Sequence, residues 1–222
     1  MTSYLTLLLI RHGESLGNIE GRLEGQMSTA LSARGQWQTQ QLAAYFKEQI
    51  KKQRPPTHIY SSPLQRAVET ARPLETVTGC PLQLAPELQE LHQGIFQGLT
   101  WSEANRRYPR LCAKLTATLD YRPVPEAEML AAAHQRAVSW YRTVGRRHRA
   151  GDIVWMVTHG GFMQQLIGVI LGCDRTWQIP IRNTALFEFR LLNPSLAEEN
   201  RYNPEHWKIQ KFNAVPHLEA KI

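Results

Sequence analysis

Leu5-Thr6-Leu7-Leu8-Leu9-Ile10-Arg11-His12-Gly13-Glu14-Ser15 joins a continuous apolar run to a charged turn. Such a run, bounded by polar residues, is the pattern of a strand buried on both faces, as in the middle of a parallel sheet. Ile59-Tyr60 and Ile153 to Val157 read the same way. Between them lie stretches with helical spacing, Ala33 to Ile50, Leu64 to Val77, Ala131 to His148 and Phe162 to Leu171. Strands alternating with helices predict an α/β fold of three layers, a mostly parallel sheet with helices on both faces. Thr184 to Leu191 and Trp207 to Phe212 read as further strands, and Leu192 to Glu205, with Pro194 and Pro204, as a surface loop. At 222 residues the chain suits one hydrophobic core. The expectation is a single domain over 1–222, with a small cap region over about 91–150.

The formal charge is +7, from 26 Lys and Arg against 19 Asp and Glu. The basic residues are scattered apart from Arg146-Arg147-His148-Arg149, which follows a predicted helix where cations favour the dipole. A nucleic-acid partner is therefore not expected, and the positive field suits a small anionic substrate. Cys80, Cys112 and Cys173 form no CxxC pair, which points away from a disulfide framework or thiolate zinc site. The Leu5 to Ile10 run is too short for a secretory segment or a bilayer span. A cytoplasmic protein with no membrane partner is expected, and homo-oligomerisation is left open.

In an open α/β sheet, ligands bind beyond the carboxyl ends of the strands, so the residues just after the apolar runs carry the chemistry. Those are Arg11 to Ser15 with Asn18, Ser61 to Arg66, and Thr158-His159-Gly160-Gly161, with Leu88 to Gly94 midway. If they converge, two histidines, two arginines and a carboxylate share a pocket. Arg11 and Arg66 offer planar forks for phosphoryl oxygens. A neutral imidazole is a competent nucleophile, and His12 stands beside the close-packing Gly13. His159, when protonated, would bind an equatorial oxygen, with the Gly160 N–H opening a helix toward the same anion. Glu90 would protonate the leaving alkoxide and then act as base toward water.

These segments resemble the histidine phosphatase superfamily, also called the phosphoglycerate mutase-like family. The resemblance rests on Arg11-His12-Gly13-Glu14-Ser15-x-x-Asn18, on Ser61 to Ala71, on Glu90 with Gly94 and Gly98, and on His159-Gly160-Gly161, and it covers nearly the whole chain. It implies phosphorylation of His12, phosphate binding by Arg11, Arg66, His159, Asn18 and Gly160, and an acid at Glu90. It also implies metal-independent phosphomonoester hydrolysis of a small phosphorylated metabolite with no cofactor. Ser28 and Ala30 depart from the family's frequent aspartate and proline, Gln97 from a glutamate, and Ala127-Glu128-Met129 from Gly-Glu-Ser. These bear on leaving-group recognition.

Two rivals share the motifs. A cofactor-dependent phosphoglycerate mutase is echoed in Arg106-Arg107 before Tyr108-Pro109, whereas the 69 positions between Glu90 and His159 resemble the compact phosphatase branch. A catalytically inactive binding member would be expected to lack one of the chemical groups, and all are present. A metal on His12, His159, Glu14 and Glu90 is disfavoured by the flanking arginines. Glu128 and Arg136, two helical turns apart, read as a structural pair, and His58, His134, His148 and His206 as surface residues.

Overall fold

The structure, a computed structural model, describes residues 3–117, 123–173, 178–192 and 203–219. In chain order it runs β1 (Leu5–Arg11), α1 (Leu16–Ile19), α2 (Ala33–Gln49), β2 (His58–Ser61), α3 (Gln65–Thr78), β3 (Leu82–Leu84), α4 (Trp101–Arg107), α5 (Pro109–Thr116), α6 (Leu130–Arg147), β4 (Ile153–Thr158), α7 (Gly160–Ile170), β5 (Leu186–Leu191) and β6 (Trp207–Ala214). The six strands form one sheet in the order β3-β2-β4-β1-β5-β6. β1, β2, β3 and β4 are mutually parallel through their pairings, and β5 and β6 join antiparallel at one edge. The α/β reading therefore holds, with a mixed edge.

Alternation along β1 divides the core in two. Leu5, Leu7 and Leu9 pack with α6 and α7 residues such as Trp140 and Phe162, while Leu8 and Ile10 pack with Leu42 and Phe46 of α2 and Leu74 of α3. A strand with two buried faces must be apolar throughout, which is why the run has no polar alternation.

Three expectations change. β3 was not anticipated, because its three residues are mostly exposed and carry no apolar run. The cap expected over about 91–150 is smaller. Phe96, Ala104 and Cys112 form a separate little core with Leu23, Leu99, Tyr108 and Leu111, whereas α6 packs on the main core through Ala133, Ala137, Trp140 and Val144. His148, expected at the surface, is buried, because it closes α6 against Tyr60. Most of the expected Leu192 to Glu205 loop, 193–202, lies outside the described residues. Among the described residues no helix is long and apolar enough to cross a membrane.

Candidate active site

β2, β4 and β1 are neighbours in the sheet and parallel, so their carboxyl ends deliver Ser62, His159 and His12 to one edge. His12 and His159 are buried, with ring centroids 5.0 Å apart. His12 Nδ1 lies 2.6 Å from the Gly13 carbonyl oxygen, so Nδ1 carries the hydrogen. Nε2 is then a bare lone pair, and Arg66 Nε donates to it at 3.3 Å. Burial, reinforced by Arg11 and Arg66, holds the His12 imidazole well below its usual pKa.

The loop bearing His12 is held by close packing. Gly13 N–H donates to Thr70 Oγ1 at 3.0 Å, and Thr70 Oγ1 donates to the Arg66 carbonyl at 2.7 Å. At Gly35 a Cβ would meet the Glu14 carbonyl oxygen at 2.0 Å, so only glycine lets α2 approach the His12 turn.

Arg66 is buried, and its fork donates to the carbonyls of Met27 and Gly25 at 2.7 and 2.8 Å. It thus fixes the 25–29 loop as well as facing His12. Arg11 Nη1 donates to the Ile181 carbonyl. Its Nε is buried without a hydrogen-bond partner, and a Cβ built on Gly160 would lie 3.6 Å from that atom. Desolvation lowers the pKa of both guanidiniums.

His159 Nε2 contacts Ser62 Oγ at 2.8 Å, and its Nδ1 is a second buried nitrogen without a partner. Burial first, then His12 and the arginines, hold His159 well below its ordinary pKa. The neutral form is thus favoured in the unliganded protein, and an incoming dianion would offset the arginine charges that favour it, the condition for the protonated role read from the sequence.

Glu90 has a different setting from the one expected. Its carboxylate caps α7, accepting from Gly161 N–H and Phe162 N–H at 2.9 Å each, next to the free first turn at Gly160. A Cβ on Gly161 would stand 2.6 Å from Glu90 Oε1, so the second glycine of His-Gly-Gly makes room for that carboxylate. Asn18 lies in the same region but is engaged: Nδ2 donates to Glu24 Oε2 at 2.9 Å, and Asn183 Nδ2 donates to Asn18 Oδ1 at 3.1 Å.

Sequence reasoning missed Glu24. It is a buried carboxylate that accepts from Ser15 Oγ at 2.7 Å and from Asn18 and Thr29, with Arg66 Nε 3.8 Å away. No motif surrounds it, and only the fold carries it inside. Gln97, one of the departures, accepts from Gln26 N–H at 3.0 Å, while Gln26 Nε2 donates to the Glu90 carbonyl at 3.0 Å, so it tethers the cap to the pocket loop. Glu128 and Arg136 pair at 2.8 Å, and Arg136 also holds the Glu87 and Gln89 carbonyls, which positions the segment before Glu90.

The family described as histidine phosphatase superfamily (branch 1) matches residues 7–213. A metal-independent phosphoserine phosphatase of Arabidopsis thaliana is 30% identical over 216 residues, covering 96% of this chain and 83% of its own length. Phosphoglycerate mutase-like protein 4 of the same plant is 29% identical over 218 residues, covering 97% and 88%. The crystal structure of the alpha-ribazole phosphatase from Shigella flexneri superposes with a TM-score of 0.78 at 21% identity, covering 95% of this chain and 97% of that one.

Proposed function

The chain belongs to the histidine phosphatase superfamily, branch 1, and from that membership we propose that it hydrolyses phosphomonoesters of a small metabolite through a phosphohistidine at His12, without a metal or cofactor. The observation that carries this is the state of His12: its Nδ1–H is fixed on Gly13, and its unprotonated Nε2 faces Arg66 beside two buried nitrogens that lack partners, the Arg11 Nε–H donor and His159 Nδ1. A buried guanidinium N–H without a partner is costly, and a phosphoryl oxygen supplies the acceptor it lacks.

In the first step His12 Nε2 attacks phosphorus, the P–O bond to the alcohol breaks, and the leaving alkoxide takes a proton from Glu90. Arg11, Arg66, His159 and the Gly160 N–H hold the equatorial oxygens. To reach the leaving oxygen, Glu90 must exchange its hydrogen bonds to the α7 amides for one to the substrate. In the second step Glu90 takes a proton from water, the water oxygen attacks phosphorus, and the P–N bond breaks to release inorganic phosphate.

Water, rather than a second sugar-acid hydroxyl, is the acceptor in this reading. Arg106 and Arg107, the echo of a mutase pair, are exposed on the last turn of α4. A silent binding role is disfavoured because no chemical group is missing. Three free cysteines accord with work in the cytoplasm.

Quenching with labelled p-nitrophenyl phosphate should trap an acid-labile, base-stable phosphoenzyme that His12→Asn lacks. Labelling that persists in His12→Asn would overturn the mechanism. With 3-phosphoglycerate and catalytic 2,3-bisphosphoglycerate, phosphate release should outpace isomerisation; the reverse would assign a mutase.

A further inference from the structure

A second cluster of ligating side chains lies at the opposite end of the sheet. His58 opens β2, His148 caps the end of α6, and Asp152 precedes β4. One ligand atom from each lies within 4.8 Å of the other two.

The hydrogen bonds assign which atoms are free. His58 Nδ1 lies 3.0 Å from Thr57 Oγ1, which also accepts from the Ile153 N–H at 3.0 Å. With Nδ1 engaged there, the Nδ1–H tautomer leaves Nε2 of His58 with a lone pair for an ion. His148 Nε2 is 3.2 Å from the Tyr60 hydroxyl, while its Nδ1 is buried with no hydrogen-bond partner. His148 as a whole is only 6% exposed. Asp152 Oδ2 sits 3.8 Å from that Nδ1, too long for a hydrogen bond, and is itself oriented by the Arg149 N–H at 3.0 Å.

We propose that His58, His148 and Asp152 bind a divalent transition-metal ion, Zn²⁺ in preference to Mg²⁺ or Ca²⁺. Two imidazoles and one carboxylate are the mixed donor set zinc takes, whereas the harder ions require mostly oxygen. Tetrahedral zinc with bonds of about 2.0–2.1 Å sets its ligand atoms roughly 3.4 Å apart. The His148–Asp152 gap of 3.8 Å, and separations of no more than 4.8 Å to His58, would contract to that on binding. The Tyr60 hydroxyl, Thr57 Oγ1 and the Arg149 amide are the outer partners that fix ring tautomer and carboxylate orientation, the arrangement typical of metal-binding imidazoles. Water would complete the fourth position.

The ion would tie the end of α6 to the first residues of β2 and β4. β2 then runs its four residues, roughly 13 Å, before reaching the phosphate end of the sheet. Zinc here stabilises the fold by binding the native state, and it takes no part in phosphoryl transfer because it sits at the amino ends of the strands whose carboxyl ends carry the pocket.

Chelator-stripped protein titrated with ZnCl₂ by calorimetry should bind one more equivalent than His58→Ala, and the ion should raise the melting temperature of the wild type but of neither His58→Ala nor Asp152→Asn. These two variants are chosen because both side chains are partly exposed and tolerate replacement better than buried His148. Co²⁺ should give a visible ligand-field band that His58→Ala abolishes. The inference fails if the wild type shows no zinc-dependent shift, or if both variants keep the wild-type shift and stoichiometry.

Discussion

His12 can act only while Nε2 is unprotonated, and its lowered pKa has a kinetic signature. The free enzyme should keep its nucleophile neutral well below pH 6.5, so kcat/KM, corrected for substrate ionisation, should show no acidic limb at the ordinary histidine value. A limb near 6.5 assignable to His12 would contradict the geometry. Glu90 has two tasks, and its variants should separate them. Glu90→Gln should lower turnover of poor leaving groups by about 10²–10⁴-fold and that of activated aryl esters far less. A similar loss with both would mean that the carboxylate only holds α7. Gly35→Ala drives a Cβ to within 2.0 Å of the Glu14 carbonyl, so it should cost about 1–3 kcal/mol and displace His12. Unchanged stability in urea would count against that packing. At this scale the sequence shows the residues that come in local groups, such as His12 with Arg11 and Gly13. It hides Glu24, which no motif marks and whose facing of Arg66 arises only from the fold.

Elements with a strong period were legible and weakly patterned ones were not. β1 and β4 are apolar because they sit mid-sheet, and α2, α3, α6 and α7 each bury a face against them. β3 is an edge strand of three residues, and α4 and α5 answer to a small core of their own, so neither leaves a main-core signature. The helical spacing of α7 shows only from Phe162, and its start at Gly160 is the one the His-Gly-Gly turn predicts. α4 begins with a capping box, Thr100 with Glu103, and Arg22 donates to Glu103 at 2.9 Å from the far side of the cap. Backbone and Arg22 hydrogen bonds keep the Glu103 carboxyl below its usual pKa. Thr100→Ala should cost about 1 kcal/mol in denaturant unfolding, the usual loss for an N-cap. No measurable change would show that the box is not stabilising.

At the scale of the molecule, several buried histidines share one sign. His12, His159 and His148 have lowered pKa values, and desolvation brings His217 down to about 4. The unfolded chain takes up protons near pH 6.5 while the folded chain does not. Stability is therefore complete above pH 6.5 and falls as pH drops from there toward about 4. A fully buried group such as His12 adds up to about 1.4 kcal/mol per pH unit in that window. Urea midpoints should accordingly be lower at pH 5 than at pH 7.5; equal midpoints would refute the linkage. Excess EDTA should leave phosphate release intact in His58→Ala, which lacks a ligand of the proposed zinc site, since arginines and histidines surround the pocket, and inactivation of that variant rescued by a divalent ion would sink the metal-free mechanism. The little core of Phe96, Ala104 and Cys112 also bears on ancestry. Its three buried residues belong to neither of the sheet's clusters, and it reaches the pocket through Leu23 and Gln97 rather than through the strands that hold His12 and His159. Descendants of one such chain could therefore vary in two short helices while the sheet stands still.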